Sequence, residues 1–358
     1  MVSNGQAGLA DDLLARLPRS PDAYPQKIDL VREAALLVLF DENVYRSASF
    51  LDDRILGPAT RGAWFPFGRV AEASRSGQNL RPLHFIFHTG HVGSTLLSRL
   101  LDETGVVLSL REPLPLRSLA EAFDVLNHPD SLLSKAQFEL VLTMLMRMWS
   151  RGYEATRTVV LKTTSSTGRL AGTVLSASQQ SRAVYMNLRA EPYLATLLAG
   201  ENSLFDLRGH GPERMRRLQS RIASELPPLH AMSIGELAAM SWLAETRTQR
   251  ETLERFADRV IALDFDEFLS SVAAGVERVS GHFGLPRDAG YLSRVSQSAV
   301  LTRYSKAPEY AYTPNIRAEV LHDSRHANRE EIHRGIAWLE RLARSDNAIA
   351  GVVSGAGL

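Results

Sequence analysis

The segment GHVGST at residues 90–95 combines two glycines with two adjacent hydroxyl side chains. Glycine lets a backbone approach an anion closely, and the first free amides of a helix point at that anion with the positive end of the helix dipole behind them. Ser94 and Thr95 add hydroxyls that can donate to phosphate oxygens. These residue types at this spacing predict a phosphate-binding loop.

A strand and a helix must position such a loop, and the flanking residues predict both. The apolar run FIF at residues 85–87 precedes the loop and is typical of a buried strand. After the loop, leucines at positions 96, 97, 100 and 101 recur with helical spacing. The predicted order is therefore strand, phosphate loop, helix.

The loop differs from that of nucleoside triphosphatases, which reads G-x-x-x-x-G-K-[ST] and uses its lysine to reach the β- and γ-phosphates. With Gly93 aligned to the second glycine, His88 occupies the first glycine position and Ser94 the lysine position. A loop without this lysine suits a nucleotide that has no γ-phosphate to transfer. An atypical P-loop kinase that uses ATP and magnesium stays open as an alternative.

Residues 91–96, HVGSTL, resemble the 5′-phosphosulfate loop of the sulfotransferases that use 3′-phosphoadenosine 5′-phosphosulfate (PAPS), whose pattern is roughly [KR]-S-G-T-T-[LW]. In that family the basic residue contacts the transferring sulfonate, and here His91 takes its place. The resemblance implies that His91, protonated or hydrogen-bonded, acts on the bridging oxygen. It also implies a set of PAPS-binding loop residues: Thr89, Gly90, His91, Val92, Gly93, Ser94 and Thr95.

Glu112 follows the next predicted strand, VVLSL at residues 106–110. Side chains just past the carboxyl ends of strands line the ligand crevice of α/β sheets. Sulfotransferases that act on tyrosine or glycans have a glutamate base about this far past the loop glycine, and Glu112 lies nineteen positions after Gly93. The resemblance therefore implies that Glu112 takes the proton of the acceptor hydroxyl. Pairing with Arg111, or capping of the next helix, is the structural alternative.

Two basic residues follow later predicted strands. Lys162 follows the apolar run at 158–161 and precedes a cluster of hydroxyl side chains. Such a lysine is either a second anion contact or a surface lysine. The sulfotransferase family has a lysine in a similar element. Arg189 follows the strand at 183–188, where the family has an arginine that grips the 3′-phosphate together with a helical serine. That serine position falls here on apolar residues, with Thr196 or Ser203 as possible substitutes.

The last third of the chain adds two pieces of the resemblance. Residues 259–286 are similar to the family segment v-x-Y-E-D-L … FLGLP, and Asp264 within it is expected to cap a helix. In the family, a basic segment late in the chain folds back over the 3′-phosphate. Lys306, with its neighbours Arg303 and Ser305, is the candidate for that position.

The alternation of strands and helices predicts an α/β fold, a three-layer parallel sheet flanked by helices and of P-loop nucleotide-binding type, over residues 81–350. Residues 1–80 are expected to form a helical N-terminal appendage, with an apolar helix over residues 28–40. This appendage either packs on the larger domain or helps to grip the substrate. The arginine-rich stretch at 201–230 predicts an acceptor-binding surface, a lid or a solvated helix face.

Composition limits the class of protein further. The 358 residues are 44% hydrophobic and 23% charged with a net charge of +1, which is typical of a globular protein without a general attraction for nucleic acid. The absence of cysteine excludes disulfides, thiolate zinc sites and cysteine nucleophiles. No apolar run is long enough to predict a membrane span, and the first 20 residues lack a secretory signal pattern. A cytoplasmic location is expected.

These features predict a sulfotransferase that moves a sulfonate group from PAPS to the hydroxyl of a small molecule or glycan, without a metal ion. The loop, Glu112, Arg189 and residues 264–286 occur in the order that the family shows. A non-catalytic nucleotide-binding or scaffold protein stays open as an alternative, because the basic residue of the loop and the helical serine are missing.

Overall fold

The computed structural model describes residues 4–76, 80–286 and 289–356. Within these ranges, eight strands form two separate sheets. The first sheet is antiparallel, with the order β1-β2-β3: β1 (Ala23–Asp29), β2 (Ala34–Leu39) and β3 (Gly62–Pro66). The second sheet is parallel, with the order β5-β6-β4-β7-β8: β4 (Leu83–His88), β5 (Val107–Arg111), β6 (Thr158–Lys162), β7 (Ala183–Asn187) and β8 (Val260–Asp264).

Helices surround both sheets. In the described ranges they are α1 (Asn4–Arg16), α2 (Glu42–Ser47), α3 (Phe67–Arg75), α4 (Ser94–Asp102), α5 (Leu114–Asp124), α6 (Lys135–Trp149), α7 (Ala171–Ala177), α8 (Ala190–Leu198), α9 (Ser203–Gln219), α10 (Ile234–Arg255), α11 (Phe265–Ser270), α12 (Val272–Phe283), α13 (Ala289–Gln297), α14 (Pro314–Ala327), α15 (Arg329–Ser345) and α16 (Asn347–Ala356). None of the helices described is long and apolar enough to cross a membrane.

The parallel sheet forms the middle layer of the larger part of the chain, because each of its faces carries an apolar cluster. Side chains of a strand alternate between faces, so Ile86 of β4 packs in one cluster with α4, α8 and α10. Phe85 and Phe87 pack in the other cluster, with α5, α6 and α7. All six side chains of β4 are buried, as expected for a parallel strand covered on both faces. The predicted α/β fold with a flanked parallel sheet is confirmed.

Strand order places β4 at the centre of this sheet, between β6 and β7. Ile86 is opposite Lys162 of β6, and His88 is opposite Met186 of β7. Because all five strands are parallel, their carboxyl ends meet at one edge of the sheet. The residues after β4, β5, β6 and β7 therefore lie along the same edge, as the sequence predicts.

The N-terminal segment differs from the prediction, because the helix expected over residues 28–40 is wrong. This stretch contains the end of β1, a turn at Glu33 with a positive φ of 49°, and all of β2. The run AALLVL at 34–39 is too short to distinguish a buried strand from a buried helix by periodicity alone. As the central strand of a three-stranded sheet, β2 has neighbours on both edges, and Ala35 and Leu37 are completely buried.

The long helix α10 begins with a capping box, in which Ser233 and Glu236 satisfy each other's backbone amides. Its Trp242 is buried and donates from the indole nitrogen to the carbonyl oxygen of Leu188 at 2.9 Å. This bond fixes the backbone immediately after β7, where the chain turns toward Arg189.

Candidate functional site

The loop between β4 and α4 depends on residues with positive φ. Gly90 has φ +108° and Gly93 has φ +67°, and His91 between them also takes a positive φ of 54°. Gly93 precedes the first residue of α4, and a Cβ atom there would overlap the ring of Phe265. Glycine is therefore required at position 93 both for its backbone conformation and for the close approach of Phe265.

His88 braces the loop, a role that the sequence did not reveal. Its Nε2 donates to the carbonyl oxygen of Thr163 at 2.8 Å, and its Nδ1 accepts the amide of Gly90 at 3.1 Å, a tautomer assigned from these two partners. Burial, with the charge of Lys162 second, holds the pKa of His88 well below its usual value, so the ring is neutral. The only signal in the sequence is that His88 stands where a triphosphatase loop has glycine.

Backbone amides remain available further along the loop. The amides of Thr89 and Gly90 are used inside the protein, by Met186 and His88 respectively. The first amide of α4 that bonds within the helix is that of Leu97, which donates to the carbonyl oxygen of Gly93 at 3.0 Å. The amides of residues 94–96 are those that a helix N-terminus leaves without an intrahelical acceptor. An anion at this position would receive them.

Buried hydroxyls beside the loop also lack partners. The side-chain oxygens of Thr89, Thr95 and Thr164 are inaccessible to solvent and have no hydrogen-bond partner in the described part of the chain. A buried polar group left unpaired costs about 1–3 kcal/mol. Of these three residues only Thr95 lines the cavity in front of the loop, where an anion next to the free amides would also complete its bonding. The residues present therefore fit an oxyanion ligand such as a phosphosulfate.

A cavity of about 250 Å³ opens in front of the loop. Its walls come from the loop and the start of α4, from α11 and α12, and from the tail between Val300 and Arg317. Three aromatic side chains contribute to the wall, and they are Phe265, Tyr304 and Tyr312. Aromatic faces of this kind stack well on nucleobases. The cavity thus combines an oxyanion end with flat apolar surface.

The tail residues singled out in the sequence lie in this cavity. Arg303, Ser305 and Lys306 all line it. The tail is held against the loop helix by Arg99 of α4, whose Nε donates to the carbonyl oxygen of Ser305 at 2.8 Å. The structure therefore brings together the loop and a segment more than 200 residues further along the chain.

Glu112 and Lys162 form a buried ion pair at the ends of β5 and β6. The ammonium of Lys162 is 1% exposed and donates to Oε1 of Glu112, and the amide of Glu112 donates to the carbonyl oxygen of Lys162 at 2.7 Å. Glu112 also adopts a positive φ of 55°, which is uncommon for a residue other than glycine and is often found at functional sites. Burial lowers the pKa of Lys162 to about 8.

This pair excludes the structural alternatives for both residues. Arg111 does not pair with Glu112, because its guanidinium is buried against Asp102 and Ser98. The residue that caps α5 is Pro113, without a side-chain cap. Lys162 is not a surface lysine. Neither partner of the pair lines the 250 Å³ cavity, but Lys162 lies close enough to the loop for its charge to lower the pKa values of His88 and His91.

His91 lines the cavity and is an exposed residue. The protein atoms around its ring, with the charge of Lys306 second, lower the pKa of His91. This shift favours the neutral, hydrogen-bonding form of the ring in the protein without a bound anion. The cations that line the cavity are Arg303, Lys306 and Arg317, and the charge of Lys162 also reaches the loop.

Arg189 lies at the same edge of the sheet but outside the loop cavity. It follows β7, its side chain is exposed, and it lines a neighbouring hollow of about 560 Å³. Arg325 in this hollow pairs with Glu191 at 2.7 Å, whereas Arg189 makes no ion pair within the described ranges. Arg317 lines both the hollow and the loop cavity, so the two spaces are neighbours. An extended ligand is needed to reach both.

The expected helical serine has no direct replacement next to Arg189. The hydroxyl of Ser203 donates to the carbonyl oxygen of Leu197 at the end of α8. Thr196 lines the loop cavity, with its hydroxyl bonded to the carbonyl oxygen of Pro192 at 2.7 Å. Of the two substitutes that the sequence suggested, only Thr196 lies at the candidate site.

Two further expectations have clear outcomes. Asp264 caps α11 by accepting the amides of Asp266 at 2.8 Å and Glu267 at 3.1 Å, which confirms its structural role. The solvated helix face expected within 201–230 is wrong for Arg214 and Arg217, because both are buried and pair with the completely buried carboxylate of Glu245 on α10. These arginines fix α9 against α10.

In the residues that the structure describes, no cluster of three or more His, Asp or Glu side chains could hold a metal ion.

Comparison with known proteins returned similar structures only. No protein-family profile matches the chain, and no curated protein matches it. A sulfotransferase from Mycobacterium avium is similar with a TM-score of 0.41 and 12% identity, over 89% of this chain and 96% of that one. A mouse sulfotransferase complexed with PAP has a TM-score of 0.40 and 10% identity, over 81% and 96%. A sulfotransferase domain from the curacin biosynthetic pathway has a TM-score of 0.37 and 16% identity, over 74% and 99%.

Proposed function

We propose that this chain is a sulfotransferase that moves a sulfonate group from PAPS to a hydroxyl acceptor. The observation that carries the proposal is the ion pair of Glu112 with Lys162 beside an oxyanion-binding loop, at the same edge of one parallel sheet. A carboxylate at the sheet edge that carries the oxyanion loop is a suitable base for the deprotonation of a hydroxyl nucleophile. The resemblance of the loop in sequence supports the same reading.

The donor would be held by groups of the loop and its surroundings. The free amides at residues 94–96 and the hydroxyl of Thr95, which lines the cavity, bind the 5′-phosphosulfate. The aromatic wall of the cavity receives the adenine. Arg189, which has no ion-pair partner in the described ranges, reaches the 3′-phosphate through the neighbouring hollow.

Transfer itself involves one bond formed and one broken. The acceptor oxygen bonds to sulfur as the bond from sulfur to the bridging phosphate oxygen breaks, and adenosine 3′,5′-bisphosphate leaves. Oε1 of Glu112 accepts from Lys162, and the described residues provide no donor to Oε2, which is therefore free to take the proton of the acceptor. The ion pair with Lys162 holds the carboxylate of Glu112 in position for this proton transfer. Most of the rate acceleration would come from positioning and charge stabilisation.

The acceptor is a small molecule or glycan with a hydroxyl group. A cytoplasmic location stays a prediction from the sequence.

The test is transfer of labelled sulfonate from PAPS to a panel of alcohols, phenols and sugars, with wild type compared to Glu112→Gln. Loss of a general base costs on the order of 10²–10⁴ in rate, so we expect kcat to fall by this factor while adenosine 3′,5′-bisphosphate still binds within about threefold of wild type, a change of less than about 1 kcal/mol. Glu121→Gln, at an exposed position of α5, is the matched control. Full activity of Glu112→Gln would exclude the base role. Binding without transfer to any acceptor would favour a non-catalytic protein.

A further inference from the structure

The loop has no cation of its own. Residues 89–95 contain neither lysine nor arginine. A phosphosulfate brings negative charge that must be balanced where water is excluded. Lys162 already balances Glu112. One further positive charge is therefore required at the loop, and it must come from elsewhere in the chain.

Lys306 is placed to supply this charge. It lines the same cavity as His91 and the residues from Gly93 to Thr95, and it is half-buried. Of the three cations that line this cavity, Arg317 pairs with Asp266 at 2.7 Å, whereas Arg303 and Lys306 form no ion pair in the ranges that the structure describes. The charge of Lys306 reaches the base of the loop, since it contributes to lowering the pKa values of His88, His91 and Lys162.

The position of Lys306 is fixed through its neighbour. Ser305 offers its carbonyl oxygen to Arg99 at 2.8 Å, and Arg99 also donates to the hydroxyl of Ser49 at 2.8 Å. A second hydrogen bond restrains the backbone around Lys306, because the amide of Tyr304 donates to the carbonyl oxygen of Tyr310 at 2.8 Å. Because Arg99 belongs to the helix whose N-terminus forms the loop, the tail and the loop are held in one fixed relation.

We propose that Lys306 supplies from the tail the positive charge that the loop lacks, by contacting the 5′-phosphosulfate end of the donor, and that Arg99 is the positioning residue that holds it there. This inference rests on the proposed function. It differs from the expectation from the sequence, in which Lys306 binds the 3′-phosphate of the ribose. No covalent step involves Lys306, whose role is to hold charge and orient the donor.

Two nucleotides separate these alternatives. Adenosine 5′-phosphosulfate carries the phosphosulfate without a 3′-phosphate, and adenosine 3′-monophosphate carries only the 3′-phosphate. A hydrogen bond to a charged group corresponds to an affinity change on the order of 10- to 100-fold. For Lys306→Met we expect this loss for adenosine 5′-phosphosulfate, with the affinity for adenosine 3′-monophosphate unchanged within about twofold. Titration calorimetry measures both, and thermal denaturation confirms that the variant is folded.

A second substitution moves the charge into the loop. His91→Lys in the Lys306→Met background is expected to restore most of the affinity for adenosine 5′-phosphosulfate, because the ammonium then comes from position 91. The same substitution should rescue Arg99→Met, since a lysine in the loop does not depend on the position of the tail. A purely structural role of Arg99 would not be rescued in this way.

The outcomes that overturn the inference are distinct from failure of the proposed function. Three results for Lys306→Met exclude Lys306 as the missing loop cation: lower affinity for adenosine 3′-monophosphate alone, an equal loss of affinity for both nucleotides, and unchanged affinity for both. Absence of rescue by His91→Lys excludes it as well. If wild type binds neither nucleotide, the proposed function itself fails and the inference fails with it.

Discussion

Replacement of Gly93 by alanine tests how closely the loop and α11 are packed. Gly93 has φ +67°, and a Cβ atom at this position would overlap Cε2 of Phe265 and lie 2.7 Å from both Cδ2 and Cζ. Phe265 is itself restrained, because it is buried and the guanidinium of Arg317 lies 4.9 Å from its ring centroid. The ring must move for the methyl group to fit, and it forms part of the cavity wall.

The expected cost has two parts. A residue other than glycine in the left-handed conformation costs about 1–2 kcal/mol, and forcing an extra methyl group into a packed site costs about 1–3 kcal/mol. Gly93→Ala should therefore lower the free energy of unfolding by about 2–5 kcal/mol. Affinity for adenosine 3′,5′-bisphosphate should fall as well, because the added methyl displaces a wall of the cavity.

Gly105→Ala is the matched control. Gly105 has φ +72°, and a Cβ atom there would meet nothing within 4 Å. It should cost only the backbone part, about 1–2 kcal/mol, and leave nucleotide affinity unchanged. Urea denaturation measures the free energies, and calorimetry measures binding. The difference between the two variants isolates the overlap with Phe265.

A double substitution completes the test. Phe265→Leu removes part of the ring, so Gly93→Ala should be less destabilising in that background than alone, as expected for residues in contact. The reasoning is refuted if Gly93→Ala and Gly105→Ala cost the same, or if the effects of Gly93→Ala and Phe265→Leu simply add.

The remaining predictions concern pH and the 3′-phosphate. The pKa of Lys162 in the free protein is about 8, so its ammonium is present below that pH and is lost above it. We therefore expect kcat/KM to fall roughly tenfold per pH unit above about pH 8. Lys162→Arg should lack this decline, because a guanidinium stays protonated. A pH profile that is flat from 7 to 10 in wild type would contradict this assignment. Arg189→Ala should weaken adenosine 3′,5′-bisphosphate about 10- to 100-fold while leaving adenosine 5′-monophosphate unchanged, with the exposed Arg208→Ala as control; an equal loss for both nucleotides would remove Arg189 from the 3′-phosphate site.

The parallel sheet could be predicted because each of its strands is a short apolar run followed by polar residues. The same local signal gave a wrong prediction at β2. Residues 34–39 are equally apolar, but they form a strand of an antiparallel sheet whose other strands, β1 and β3, contain both polar and apolar residues. Periodicity alone does not distinguish a central strand from a buried helix over so few residues.

The candidate site was predictable in its members but not in their partners. Glu112 and Lys162 were each singled out at a strand end, yet their pairing depends on the register of β5 with β6, in which Arg111 is opposite Lys162. The contact of Gly93 with Phe265 and the bond of Arg99 to Ser305 join residues far apart in the chain. No local sequence pattern predicts these contacts, because they are created by the packing of the whole domain.

The central claim is that the loop after β4 binds a nucleotide with phosphates at both the 3′ and 5′ positions and needs no γ-phosphate. Calorimetric titration of wild type with adenosine 3′,5′-bisphosphate and, separately, with ATP and magnesium tests it most directly. Since the loop lacks the lysine that reaches a γ-phosphate, we predict one equivalent of bisphosphate bound, with an affinity at least about tenfold, or 1.4 kcal/mol, higher than that of ATP with magnesium. Tighter binding of ATP, or no binding of the bisphosphate, would contradict the account.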